Sequence, residues 1–331
     1  MKKNHDRLTS PEISNLWAHY INETLQICII KYMLKTIKDP EIRRVYKMGY
    51  EISLKHIKTL ESVFYQENFP VPKGFSDEDV NLDAPPLFTD IFCINYIHTM
   101  SMHGMQGYGL GFSISIRKDI RQFYHQCNLD TMEIYNKSLD VLLEKQLYDK
   151  PPFYTTPDHV SFIKNLTYVA DVLGTPRKIN TLEAGNIYFN LQKSTILKGL
   201  LIAFKQVCKD KEVCHYLQQC IKITNKHLGL FSNILLKDDL HSPRSLESEI
   251  TTSNIAPFSN KLMMFHVGFL IAAASAYYGN AALTSMRADI FMHCQKAVAE
   301  DLIQVARFSK IATKRNWLEK PPEASDRTTW G

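Results

Sequence analysis

A chain of 331 residues, 45% of them hydrophobic, carries apolar material for about two domains of ordinary size. Its net charge of +5 is spread over interspersed basic and acidic residues, which makes a solvated surface rather than the concentrated basic face that nucleic acid demands. Met1-Lys2-Lys3 runs into Asn4-His5-Asp6-Arg7 and not into an apolar stretch, so a secretory leader is not expected and a cytoplasmic setting is.

Thr9-Ser10-Pro11-Glu12 reads as a helix start, with Thr as cap, Pro in the first turn and Glu reaching back. Behind it Trp17, Tyr20, Leu25, Cys28 and Tyr32 keep a three-four rhythm. Asp39-Pro40 turns the chain into a second helix, ending near Asn68, whose inward positions include Val45, Gly49, Ile52, His56 and Val63. A proline-rich loop (Pro70, Pro72, Pro85, Pro86) leads to a third helix over about Leu87–Ser115. Arg117 opens a fourth, which stops before Lys150-Pro151-Pro152 because proline cannot continue a helix.

The pattern then repeats. Glu12, Asn15, Asp39, Glu41, Lys55, His56 and Pro72 recur 171 positions later as Glu183, Asn186, Asp210, Glu212, Lys226, His227 and Pro243. Phe88, Tyr108, Gly109, Arg117, Asp119 and Ile120 recur 170 positions later. The expected fold is all-α: two tandem ferritin-like four-helix bundles related by internal duplication, over 1–150 and 180–331 with a linker at 151–179. Each bundle has short 1–2 and 3–4 links and a long 2–3 crossover. Each is expected to pack on its own core.

Ile91–Ile116 and Leu262–Met286 contain no Asp, Glu, Lys or Arg, and their length would allow a membrane span. Asn95, His98, His103 and His266 interrupt them, and they are rich in Gly, Ala and Ser, so buried central helices are the simpler reading. The seven cysteines are odd in number and lack CxxC spacing, so reduced, buried thiols are expected. Cys208, Cys214 and Cys220 are six apart and would not share one helix face.

His56 and His227 are expected at equivalent inward positions, where an imidazole needs a hydrogen-bond partner. Candidate partners are Gln192, His266 and Asp301 in the second bundle, and Glu23, Tyr96 and His103 in the first. A ferritin-like carboxylate centre would place Glu three residues before such a histidine; Ser53 and Thr224 stand there instead. No cofactor and no two-metal centre are therefore expected. The weak metal-ligand candidates are His56, His227, His266, Asp301 and Gln192, and a single ion held by His227, His266 and Asp301 is the alternative. No GxSxG or HExxH nucleophile or zinc signature appears.

Gly74-Phe-Ser-Asp-Glu-Asp-Val-Asn-Leu-Asp-Ala-Pro85, the Lys-His step, Pro257-Phe-Ser259, Leu262-Met-Met-Phe-His266 and Trp317-Leu-Glu-Lys-Pro-Pro322 resemble the domain-of-unknown-function 3231 family of endospore-forming bacteria. The resemblance covers about residues 8–326 and implies two ferritin-like bundles, some members being labelled spore-coat-like. It implies no activity and no functional residues. Asn260 departs from the Asp that members often carry after Phe-Ser. The expected function is a non-catalytic double bundle in assembly, sporulation or stress, with spore association, self-assembly or spore-coat partners. The alternative is a metal-binding, redox-active bundle protein.

Overall fold

The computed structural model describes residues 7–168 and 176–324, and these hold eight α-helices and no strand. They are α1 (Ser10–Thr36), α2 (Pro40–Gln66), α3 (Asp90–Ile114), α4 (Lys118–Glu144), α5 (Thr181–Val207), α6 (Lys211–Leu236), α7 (Asn260–Thr284) and α8 (Ala288–Lys314). The two four-helix bundles stand in tandem: α1 packs on α2 and α3 on α4, as α5 does on α6 and α7 on α8.

The duplicated residues mark the ends of these helices. Glu12 reaches back to the Thr9 backbone N–H at 2.8 Å, and its other oxygen accepts from the N–H groups of Ile116 and Arg117 at 3.0 and 2.9 Å. One buried carboxylate thus caps α1 and ties it to the α3–α4 turn. Glu183 does the same for α5 and the Met286 N–H at 2.9 Å, and also holds Arg177. Asp39 and Asp210 cap α2 and α6 by accepting from the two N–H groups that follow in the first turn. Asn68, Gln146, Asp239 and Asn316, just past α2, α4, α6 and α8, have φ of 54–60°, the left-handed geometry that ends a helix.

The expectation of two private cores needs correction. A single apolar cluster joins the C-terminal halves of α1 and α5 to the N-terminal halves of α2, α3, α6 and α7, so that Cys28, Tyr32 and Phe92 share a core with Phe204, Met263 and Ile271. Only the outer ends keep separate clusters, around Leu16, Phe64 and Tyr124 in one bundle and Tyr188, Phe231 and Cys294 in the other. The physical cause is that α1, α3, α5 and α7 are apolar on more than one face and so bury against two sides. Gly199 on α5 leaves no room for a Cβ, because the Phe92 ring of the other bundle lies on its backbone.

The long 2–3 loops clasp each other across the junction. Asn81 N–H donates to the Pro257 carbonyl at 2.7 Å, and Thr251 N–H to that of Leu87 at 3.0 Å. Thr89 and Ser259 donate from both backbone and hydroxyl to Glu249 and Asp79 respectively. Each bond is the image of its partner at an offset of 170, so the halves are related by a local two-fold.

Among the described residues α7 alone is long and apolar enough to cross a membrane, with a mean hydropathy of 1.4. Here it is packed on α5 and α8, with Leu262, His266, Val267 and Ile271 buried. The cysteine expectation fails at one place. Cys208 and Cys214 form a disulfide with Cα atoms 5.7 Å apart. Their spacing of six does not run along one helix: Cys208 ends α5 and Cys214 lies in the first turn of α6, so the intervening bend brings them together.

Candidate functional site

α1, α2, α3 and α4 converge on His56, which is 3% exposed. Its Nδ1 lies 2.8 Å from Glu23 Oε1 on α1, and its Nε2 lies 3.1 Å from Asp130 Oδ2 on α4. Two ionised carboxylates on opposite sides of the ring favour both nitrogens as donors, which is the imidazolium form. Burial by itself would push the His56 pKa down, but the hydrogen bonds and charges of Glu23 and Asp130 outweigh it and raise the pKa above 6.5. Burial likewise favours protonation of Glu23, yet the hydrogen bond and charge of His56 and the hydrogen bond from Tyr108, with the Ser53 hydroxyl nearby, hold its pKa below 4.5. Lys55 lies 3.7 Å from Asp130 at the solvent edge.

A cavity of about 330 Å³ opens beside this group. Glu23, Ser53, His56 and Tyr108 form its polar end, with His19 and Asn22 nearby. Ile97, Met100, Leu110 and Ile134 line much of the rest together with the neutral polar side chains of Gln26, Gln106 and Thr131, and Phe269 and Ala273 of α7 bound it from the second bundle. Gly104 and Gly107 leave α3 thin along the wall. Burial lowers the pKa of His19 to about 4 against the opposing charge of Glu23, and the His56 charge adds to the lowering. His103 is lowered to about 3, first by burial and then by Lys193. Both rings are therefore neutral.

The second bundle holds the same frame with different contents. His227 Nε2 faces Glu300 at 3.1 Å, as His56 faces Asp130, and Lys226 pairs with Glu300 as Lys55 does with Asp130. Tyr278 repeats Tyr108. Where Glu23 stands in the first bundle, however, Ser194 stands in the second, its hydroxyl 3.3 Å from that of Tyr278. Asn22 becomes Lys193 and Thr131 becomes Asp301. The Lys193 ammonium is buried without a hydrogen bond, 4.3 Å from the centre of the Tyr278 ring. Burial pushes Lys193 down and Asp301 up. His227 is lowered by burial, which together with the Lys193 charge outweighs Glu300. Ala274 and Tyr277 replace Gly104 and Gly107, and Tyr277 stacks edge-on against Phe189, where the first bundle has Ala18.

Of the residues singled out in the sequence, the structure brings His227 and Asp301 together, at 3.9 Å. His266 lies apart, at the junction of the bundles, with Nε2 3.2 Å from Tyr96 Oη. Gln192 lines a shallow groove with Asn95 and Thr99. Among the described residues no group of three or more His, Cys, Asp or Glu side chains is placed to hold a metal ion. Both nitrogens of His56 are engaged by carboxylates, which leaves neither as a lone-pair ligand. Sequence reasoning missed Asp130. Its signal was present, since 130 and 300 are both acidic at the 170 offset and each faces a recurring Lys-His step.

Residues 1–160 and 168–329 each match the model of the protein-of-unknown-function family DUF3231, and the chain belongs to that family. No curated protein matches it. Among solved structures, a crystal structure from Bacillus halodurans named as a "putative spore coat protein" is similar at 17% identity and a TM-score of 0.43, covering 46% of this chain and 98% of its own.

Proposed function

We propose that this protein is a non-catalytic, ferritin-like double bundle whose first bundle holds a small molecule and whose second bundle is a filled scaffold. The observation that carries this reading is the divergence of the duplicated centre. One copy keeps a cavity of about 330 Å³, within the range of small-molecule sites. In the other copy, Ala274 and Tyr277 stand where glycines line that cavity. The polar end of the cavity argues against acid–base work, because Glu23 is held below its ordinary value and both it and His56 are already engaged by partners. The setting that goes with this role is the sporulation or stress biology implied by the family resemblance. Native mass spectrometry of protein purified without a histidine tag tests it. A bound small molecule is expected, lost in Gly107→Leu. Stoichiometric iron or manganese lost on His227→Ala would instead favour the metal-binding, redox-active reading.

A further inference from the structure

Given that the first-bundle cavity holds a small molecule, we infer that its ligand is an uncharged, mostly apolar molecule carrying one hydroxyl, an alcohol or phenol, which donates to Glu23. The inference rests on what the cavity can and cannot satisfy. Its walls are mostly aliphatic and aromatic, with Ile97, Met100, Leu110, Ile134 and Phe269, and the polar side chains of Gln26, Gln106 and Thr131 among them carry no charge. A charged ligand would have to leave water against these walls without full compensation, which is costly.

An anion finds no free cation. Among the side chains that line the cavity the one positive charge, His56, is already held between Glu23 and Asp130, and the other two imidazoles, His19 and His103, are neutral. A cation finds Glu23 already compensated by His56 at 2.8 Å. A hydrogen-bond donor, in contrast, has a place. A carboxylate offers about four lone-pair sites. His56 and Tyr108 both donate to Oε1 of Glu23, so acceptor positions on Oε2 remain at the polar end of the cavity.

Size follows from volume. At the ~30 Å³ that one water molecule occupies in the liquid, the space takes about ten non-hydrogen atoms. A bicyclic alcohol or phenol has this size and a matching apolar body. Gly107 is the position that keeps the space open, since a Cβ built there would meet His19 Nε2 at 3.2 Å.

The experiment uses the full chain and four naphthyl probes in isothermal titration: naphthol, its methyl ether, naphthoic acid and naphthylmethylamine. Naphthol is expected to bind tightest. The ether, which cannot donate, is expected to bind roughly tenfold more weakly, and the acid and amine more weakly still. Gly107→Leu on α3 and Met100→Trp on the same wall are expected to abolish naphthol binding, while Gly229→Ala on α6, facing open space, leaves it unchanged. Melting curves confirm that each variant is folded. The inference is overturned if acid or amine binds as tightly as naphthol, if the ether binds equally well, or if folded Gly107→Leu keeps its affinity. It is also overturned if no probe binds. In that case a co-purified molecule lost in Gly107→Leu would leave the small-molecule reading standing with the ligand class wrong, and the absence of any such molecule would remove both.

Discussion

At equivalent positions of the two bundles the chain carries Glu23 and Ser194, and this exchange reverses the electrostatics around two histidines that otherwise sit alike. His56 lies between two carboxylates and is held protonated. His227 has one close carboxylate, a second at 3.9 Å and a buried lysine nearby, and it is pushed toward the neutral form. Burial acts on both in the same direction. The count and sign of the neighbouring charges decide the outcome. A repeated fold therefore does not repeat its chemistry, and the cavity follows the same divide.

The sharpest break of this comparison is Glu23→Ala. It leaves a buried imidazolium with only the half-buried Asp130, and a loss of roughly 3 kcal/mol in urea unfolding is expected. Ser194→Ala, which removes one hydroxyl contact, is expected to cost less than about 1 kcal/mol. Equal effects would mean that the two centres are not electrostatically distinct.

The pair Lys193→Met with Asp301→Leu should act in the opposite sense. It exchanges two poorly satisfied buried charges for apolar side chains of similar volume, and a gain of about 1–2 kcal/mol is expected in the same measurement. A large loss would show that these charges are better compensated than the geometry indicates.

The histidines differ in how they respond to pH. The folded pKa of His56 lies above 6.5, so its stabilisation is complete below 6.5 and disappears as pH rises through the folded value. His227 has a folded pKa below 6.5, so its contribution is present above 6.5 and is lost as pH falls through the folded value. NMR of ring-labelled histidines at neutral pH should show one imidazolium and one neutral ring at these positions, assigned with His56→Gln and His227→Gln. Two rings titrating together would contradict the comparison. The smallest effect is expected from chelation. Treatment with a metal chelator should leave the melting temperature unchanged, since no set of ligands converges among the described residues. A fall of several degrees would reopen the metal reading.

The helices and their starts were legible because they are local. Thr9 with Glu12 and Asn180 with Glu183 act within a few residues of the helix starts they specify, whereas α4 and α8 end at Glu144 and Lys314, well before Pro151 and Pro321. The inward placement of His56 and His227 was legible from period alone, and Glu23 was among the partners named for His56. Which inward residues meet was not, because periodicity gives a face and not a height along the bundle. His266 was grouped with His227 and Asp301, yet it lies at the junction beside Tyr96, its own repeat equivalent. The joint core escaped for a related reason. A helix apolar on two faces announces burial without saying by which neighbour. Cys208 and Cys214 meet only because a bend lies between them.

The clasp of the two crossover loops changes what the tether between the bundles is for. Around residues 153–166 the chain runs exposed, with Phe153, Val160, Phe162 and Leu166 each more than 80% accessible. The halves are meanwhile joined by reciprocal backbone bonds and a common core. A protease that cuts this stretch leaves the fragments associated, because the cut removes none of those bonds. What it removes is effective concentration, the advantage one half has in finding the other when both ride on one strand. The molecule is thus a dimer in its geometry and a monomer only in its covalent bookkeeping.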